Sequence, residues 1–381
     1  MNPGPVFKKT RFLKIWFRKI RKAYYSFIAF SGNAVLRPFF TKKKQDSETV
    51  RRILIVRVDR LGDLILSIPA IRAVRETFKE AEITLLVSPE NHEIARGIPG
   101  INATMVFEKG LLSMTHSLKK SKFDLVLVLH PGFRLNFLSW LTGAKQRAGY
   151  ATCGAGFFLT HGLPDDRDVR SRHEVESALE IAGLAGAVTE NREVELNISP
   201  GDMKLAEDYI SKNIKQNRFA VVHPGSRYRH IRWLPEGFAQ VADYLVESGM
   251  DVIVLAGPGE NALAGKVAEM MKHKPVILSG ISLGKLSGLL SRASLFVGNS
   301  TGTMHLAAAL KIPVVAIFGN NHPLDSYRSW GPWGKGNIVV KSDLSCRGCH
   351  PADCKSFDCM KAVKPADVIA AIRTMPGFRR K

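Results

Sequence analysis

The run Arg52-Ile-Leu-Ile-Val-Arg-Val58 constrains the fold more than any other part of this sequence. It is continuous, mostly apolar and of strand length, and it leads through Asp59-Arg60-Leu61-Gly62-Asp63 into apolar residues at helical spacing as far as Val74. A strand without a polar face must be covered on both sides, which is the condition of a parallel sheet held between helix layers. The same alternation recurs. Glu82–Val87, Thr104–Phe107 and Asp124–Leu129 read as strands, and Asn91–Ile98 as a helix. Composition then turns polar over Arg192–Asn217, where Ser199-Pro200-Gly201-Asp202 carries the signature of a helix start. Beyond it a second set begins. Phe219–His223, Asp251–Leu255, Leu295–Val297 and Pro313–Phe318 read as strands; Glu236–Ser248, Asn261–Lys272, Gly302–Leu310 and the closing Pro365–Arg373 read as helices.

Two successive α/β halves in 381 residues fit two Rossmann-like domains with parallel sheets facing a cleft, preceded by an extension. The expected boundaries are 1–48 for the extension, 49–195 for the first domain and 196–381 for the second. A hydrophobic content of 45% with 23% charged residues excludes collagen, a disordered chain and a polytopic membrane protein. In open parallel sheets ligands bind beyond the carboxyl ends of the strands, so the chemistry is expected in the cleft.

Charge is concentrated at the start. Residues 1–45 hold twelve Lys or Arg and no acid, leaving +9 of the net +21 for the rest. At about 100° per residue, Leu13, Trp16, Phe17, Ile20, Tyr24, Phe27 and Ile28 share one side of a helix, roughly opposite Arg11, Lys14, Arg18, Arg21 and Lys22. A basic amphipathic helix of this kind suits an anionic membrane surface, through residues 6–30. Its apolar run is far short of the ~20 residues that cross a bilayer. A signal peptide competes, but no small-x-small cleavage site follows the long basic stretch. A nucleic-acid arm is the third reading, and no nucleic-acid partner is expected. Cys346, Cys349, Cys354 and Cys359 form the spacing C-x2-C-x4-C-x4-C, a candidate structural zinc site with His350 as a substitute ligand; two disulfides or reduced thiols are the alternatives.

Three loops after strands carry chemistry. Asp63 follows Gly62 at a helix start, where it is either a helix N-cap or a general base for an acceptor hydroxyl. Pro224 to Trp233 combines a glycine turn, Ser226, Arg227, Arg229 and Arg232, a mixture suited to a diphosphate. Gly298 to His305 places Ser300, Thr301 and Gly302 before an apolar helix, whose N–H groups would face an anion, with His305 as a further donor or a packed core residue. Neither loop matches the G-x4-G-K-[ST] of nucleotide hydrolases, and no G-x-G-x-x-G follows the first strand of either half, so ATP hydrolysis and hydride transfer lose support.

From about Arg52 to Ile372 the chain resembles glycosyltransferase family 9, the lipopolysaccharide heptosyltransferases. The residues that carry the likeness are Val56-x3-Arg60-Leu-Gly-Asp-Leu-Ile-Leu-Ser-Ile-Pro-Ala70 and Gly298-Asn-Ser-Thr-Gly-Thr-Met-His-Leu-Ala-Ala-Ala-Leu310, supported by Phe123 to His130 with Arg134 nearby, Lys145 to Gly149, and Ala256 to Glu260. The resemblance implies a GT-B fold and an inverting, metal-independent transfer of heptose from ADP-heptose to a lipopolysaccharide core hydroxyl, at the cytoplasmic face of the inner membrane. It further implies Asp63 as base, Glu260 on the donor ribose, and Thr301, Gly302 and His305 on the donor diphosphate. Gly62, His130 and Arg134 then fall on the acceptor side, and Ser226, Arg229, Arg232 and Ser300 on the donor side. Two positions depart from the family pattern: Ser300, where members often carry an acid, and Ile231, where they often carry a lysine, with Arg229 or Arg232 available to supply the charge. The competing readings are transfer from another nucleotide-sugar, nucleotide-sugar epimerisation, and a non-catalytic basic protein that binds membranes or nucleic acid.

Overall fold

A computed structural model describes residues 49–107, 111–152, 154–166, 172–216, 218–319, 322, 325–344, 354–375, 377 and 378, with side chains from 114 onward in the second segment. The basic extension and, within the cysteine cluster, Cys346, Cys349 and His350 lie outside the described residues.

The first half contains β1 (Arg52–Arg57), β2 (Glu82–Val87), β3 (Ala103–Val106), β4 (Leu125–Val128), β5 (Gln146–Tyr150) and β6 (His161–Leu163), in the order β3-β2-β1-β4-β5-β6. The second contains β7 (Phe219–His223), β8 (Asp251–Ala256), β9 (Val276–Ser279), β10 (Leu295–Asn299), β11 (Val314–Phe318) and β12 (Ile338–Lys341), in the order β12-β11-β10-β7-β8-β9. Read from the opposite edge this is the same 3-2-1-4-5-6 arrangement, and every neighbouring pair is parallel. The apolar runs are buried as their lack of alternation requires: after Arg52 every residue of β1 is buried, and so is all of β7, β10 and β11. In each sheet the strand order reverses between the first and fourth strands, so the loops after β1 and β4, and after β7 and β10, open at the two switch points.

Two local expectations change. Asn91–Ile98 is not one helix but a 3-10 turn over Pro89–Asn91 and a short helix over His92–Ala95. The chain turns at Gly97 because its backbone exchanges a hydrogen bond with the connection between the halves: the Asn197 N–H donates to the Gly97 carbonyl at 2.8 Å. A Cβ on Gly97 would sit 2.2 Å from the Asn197 carbonyl oxygen. Asp63, for its part, is not an N-cap. The helix Leu61–Leu66 is capped by Arg60 without a side-chain bond, and Asp63 stands in its first turn.

The halves meet where this helix crosses the helix Gly302–Ala309. Leu64, Ile65 and Leu66 belong to the same buried cluster as Met304, Leu306 and Ala307, so one core runs through both halves. Glycine sets the approach. A Cβ on Gly302 would lie 2.9 Å from Leu61 Cβ and 3.3 Å from the Gly62 nitrogen, and a Cβ on Gly62 would lie 2.7 Å from His305 Cδ2.

Gly302→Ala is therefore expected to destabilise the chain by about 1–3 kcal/mol through overpacking. Gly265→Ala serves as the control. Gly265 lies inside the helix Asn261–Met270 with open space where its Cβ would be, and this change is expected to stabilise by roughly 0.5–1 kcal/mol. Equal urea midpoints for the two variants would contradict the crossing described.

Candidate active site

The chemistry of the first half is built around Arg57, the last residue of β1, which is fully buried. A guanidinium in that position needs partners on every face, and Arg57 has them. Its Nη1 donates to the Leu129 carbonyl at 2.6 Å, its Nη2 to Glu174 Oε1 at 2.6 Å, and its Nε to the Asp63 carbonyl at 3.1 Å. Its Nε also lies 3.3 Å from Asp59 Oδ1, and its Nη2 lies 3.5 Å from Asp63 Oδ1. Burial works against its charge, but Asp59, Glu174 and Asp63 together hold its pKa above the ordinary value.

Three carboxylates around one arginine cannot all be charged without penalty. Burial pushes Asp59 up, yet Arg57 and the His130 ring, whose Nδ1 lies 2.8 Å from Asp59 Oδ2, outweigh it and hold Asp59 below the usual range. Asp63 goes the other way. Burial and the charges of Asp59 and Glu174 overcome Arg57 and Arg60, and its carboxyl is pushed up to about 8. The cluster thus holds one proton on the carboxyl nearest the cleft, in the range useful for acid–base work at neutral pH.

In the second half Thr301 is the N-cap of the helix Gly302–Ala309, its hydroxyl accepting from the Met304 N–H at 3.3 Å. The free N–H groups of that first turn and the helix dipole make it receptive to an anion. His305 lies one turn in and is buried; burial first, and the charge of His173 second, lower its imidazole to about 3, so it is neutral. Its Nδ1 has no hydrogen-bond partner among the described residues. Glu260 sits beneath the loop after β7. Burial pushes it up, but the His223 Nε2–H at 2.9 Å, the Gly257 N–H at 2.9 Å and the charge of Arg232 prevail, and it stays below the usual carboxylate range. Gly225 permits this packing, because a Cβ there would fall 1.9 Å from Glu260 Oε2.

Both halves line one cavity of about 160 Å3: Arg60, Gly62 and Asp63 from the first; Ser226, Arg227, Tyr228, Ile231, Ser300, Thr301, Gly302, His305, Asp325 and Trp330 from the second. Of the residues expected in the site, Asp63, Gly62, Ser226, Ser300, Thr301, Gly302 and His305 come together there. Arg229 is exposed, with its guanidinium 5.7 Å from the Phe357 ring centroid, and the Arg232 Nε donates to the Ser226 carbonyl at 2.6 Å. Neither lines the cavity, and neither does Glu260; the arginine of that loop which does is Arg227. His130 stands behind Asp59, and Arg134 is exposed in the first turn of the helix Phe133–Leu141. Of the cysteine cluster, Cys354 accepts from the Phe357 N–H at 3.4 Å, Cys359 opens onto the core beside Met360, and among the described residues no group of three or more His, Cys, Asp or Glu side chains is placed to hold a metal.

Sequence reasoning missed Arg57, Glu174, Tyr228 and Asp325. Arg57 was concealed at the end of an apolar strand, although a charge among the buried residues of a doubly covered strand is itself a signal of a buried network. Glu174 is over a hundred positions away, at the start of the helix Glu174–Gly183, and nothing local marks it. Tyr228 links the two halves across the cavity lining: Arg60 hydrogen-bonds its hydroxyl and lies 4.9 Å from its ring centroid.

The pattern of glycosyltransferase family 9 (heptosyltransferase) matches residues 111–359, well over half of the chain. The chain belongs to glycosyltransferase family 9. It is 26% identical over 298 residues to the lipopolysaccharide core heptosyltransferase OpsX of Haemophilus influenzae, covering 75% of this chain and 82% of that protein. In three dimensions it resembles the family 9 glycosyltransferase of Veillonella parvula, with TM-score 0.75 at 23% identity over 87% of this chain and 99% of that one. The ADP-heptose lipopolysaccharide heptosyltransferase II of Escherichia coli follows with TM-score 0.71 at 19% identity, over 83% and 96%. The expected GT-B architecture of two Rossmann-like domains holds, and this family 9 member is a glycosyltransferase.

In a family 9 enzyme that uses Asp63 as base, the carboxyl must be ionised, so kcat/KM is expected to rise with pH through about 8. Glu174→Gln removes a charge that raises Asp63, and should move that acid limb to lower pH. The same proton reads out in stability. Folded Asp63 keeps its proton up to about 8, while unfolded Asp ionises near 3.8, so folding is disfavoured increasingly as pH rises between those values. Asp63→Asn, which cannot ionise, is expected to gain stability over the parent across that window and to keep a constant margin above it. A margin that does not change between pH 5 and 8 in urea titrations would remove the buried proton from the argument.

Proposed function

We propose that this glycosyltransferase moves a heptose from ADP-heptose to a hydroxyl of a lipopolysaccharide core acceptor, by a single inverting displacement that needs no metal for catalysis. One observation carries the reading: a carboxyl that can accept a proton once ionised, above about pH 8, and a helix N-terminus suited to an anion line the same cavity from opposite halves. The names of the relatives supply the substrates; the cavity supplies the chemistry. Asp63 takes the proton of the acceptor hydroxyl as its oxygen attacks the anomeric carbon. The bond from that carbon to the diphosphate breaks, and the negative charge left on the nucleoside diphosphate meets the N–H groups at Thr301 and Gly302 together with Arg60 and Arg227. His305 offers a neutral ring at the crossing, Ser226 and Ser300 offer hydroxyls, and Glu260 is the candidate for the donor ribose. His130 and Arg134 are the candidates for contacts with the acceptor.

Ser300 and Ile231, the two departures from the family pattern, both line the cavity. They favour a donor panel as the test, since another nucleotide-sugar would be distinguished at these positions. Mass spectrometry of product formed from ADP-heptose and a truncated core acceptor should show one added heptose, and a larger yield from a different donor would replace this assignment. Asp63→Ala is expected to cut turnover by about 10²–10⁴ while ADP binding survives; turnover at the parental level would rule out Asp63 as the base.

The placement at the cytoplasmic face of the inner membrane rests on the twelve basic residues of 1–45 and on an acceptor that is itself part of a lipid. Among the described residues no helix is long and apolar enough to cross a membrane. The full chain should sediment with vesicles containing anionic lipid, and replacement of Arg11, Lys14, Arg18, Arg21 and Lys22 by Gln should abolish this. Unchanged sedimentation would move the contact elsewhere.

A further inference from the structure

His223 ends β7 and is buried behind the cavity rather than in its lining. Its two ring nitrogens tie the end of β7 to two further elements. Nε2 lies 2.9 Å from Glu260 Oε2, on the loop after β8; Nδ1 lies 2.7 Å from Thr303 Oγ1, in the first turn of the helix Gly302–Ala309, and 3.5 Å from the Oγ1 of Thr301, the N-cap of that helix. The two threonine hydroxyls are 2.9 Å apart. Only Thr301 of this chain of groups faces the cavity.

Hydrogen-bond chemistry allows two directions along it. An ionised Glu260 only accepts, so Nε2 carries a hydrogen. If Nδ1 accepts from Thr303, then Thr303 accepts from Thr301, and the one hydroxyl hydrogen of Thr301 is turned away from the cleft. If Nδ1 carries a hydrogen, it donates to Thr303, Thr303 donates to Thr301, and the Thr301 hydrogen is free to point into the cavity. An anion in the cavity favours the second arrangement, because it gains a donor and because a positive ring stands behind that donor, itself paired with Glu260.

We propose that His223 is a positioning residue for the donor: through Thr303 it turns the Thr301 hydroxyl toward the diphosphate, taking up one proton from solvent when the donor binds and returning it when the nucleoside diphosphate leaves. This rests on the reading of the cleft as a nucleotide-sugar site. The charged groups set around the ring are Glu260, which accepts from it, and Arg232, whose charge acts on Glu260. The device is specific to this arrangement, since a residue at 303 without a hydroxyl would break it and leave the helix cap at Thr301 in place.

The test is calorimetric titration of ADP, GDP and UDP into the purified full chain, in buffers of different ionisation heat, with steady-state kinetics alongside. In the parent, binding should take up about one proton. Thr303→Val should raise the nucleotide Kd and the donor KM about 10-fold, as for one hydrogen bond to a charged group, abolish proton uptake and leave the acceptor KM unchanged. Thr303→Ser should restore all three, and His223→Phe should behave like Thr303→Val. Parental affinity and proton uptake in Thr303→Val, or failure of Thr303→Ser to restore them, overturns the relay while the donor site stands. A parent chain that binds none of the three nucleotides overturns the donor site, and the relay with it.

Discussion

The cleft exists because two backbones touch without side chains between them. Gly62 and Gly302 lie at the crossing of the helices Leu61–Leu66 and Gly302–Ala309, and a methyl group on either would collide with the other half. A carboxyl in the first turn of one helix and the first turn of the other are thereby held at the two sides of one cavity. Larger residues would drive the helices apart, and the site would separate into an acid on one domain and an anion pocket on the other. His305 completes the contact. Its ring lies over Gly62 in a place too dry for a charge, which fixes it as a neutral imidazole.

Electrostatics divides the labour across that crossing. The first half crowds Asp59, Asp63 and Glu174 around one buried guanidinium, so that a proton is retained at Asp63. The second half presents backbone N–H groups with Arg227 to the same space, where charge on a leaving group would collect. His173 ties the two. It caps the helix that begins at Glu174 and reaches the Gly331 carbonyl of the second half at 3.0 Å, so the helix that positions one carboxylate is anchored on the opposite domain.

Much of this was legible where physics is local. Doubly covered strands announce themselves as unbroken apolar runs, and β1, β2, β4, β7, β8, β10 and β11 were placed to within a residue or two. The loops after β1 and β10 were readable too, because glycine, a carboxylate and small hydroxyls at a strand-to-helix turn leave few other uses. β5 was not legible: its sequence Gln146-Arg-Ala-Gly-Tyr150 has no apolar run, and its buried Arg147 is satisfied by the Phe158 and Ala144 carbonyls, a compensation visible only in three dimensions. The short edge strands β6, β9 and β12 likewise carry too few residues to show a period. In the loop after β7, Arg227 and Tyr228 precede a 3-10 turn over Arg229–Ile231 and line the cavity; Arg229 opens that turn toward Phe357 while Ile231 closes it back at the cavity, an arrangement that the residue types alone do not reveal.

The repeated topology explains why the two halves can share a design and differ in chemistry. Arg57 and His223 are the last residues of β1 and β7, the equivalent strands of sheets with the same order. Each is buried at its sheet's switch point, and each binds a glutamate brought from elsewhere: Glu174 in one case, Glu260 in the other. An arginine there holds its charge permanently and so can only bias its neighbours, which suits a half that must set the proton affinity of Asp63. The same position in the fold thus holds a permanent guanidinium in the first half and, in the second, an imidazole bonded between Glu260 and Thr303.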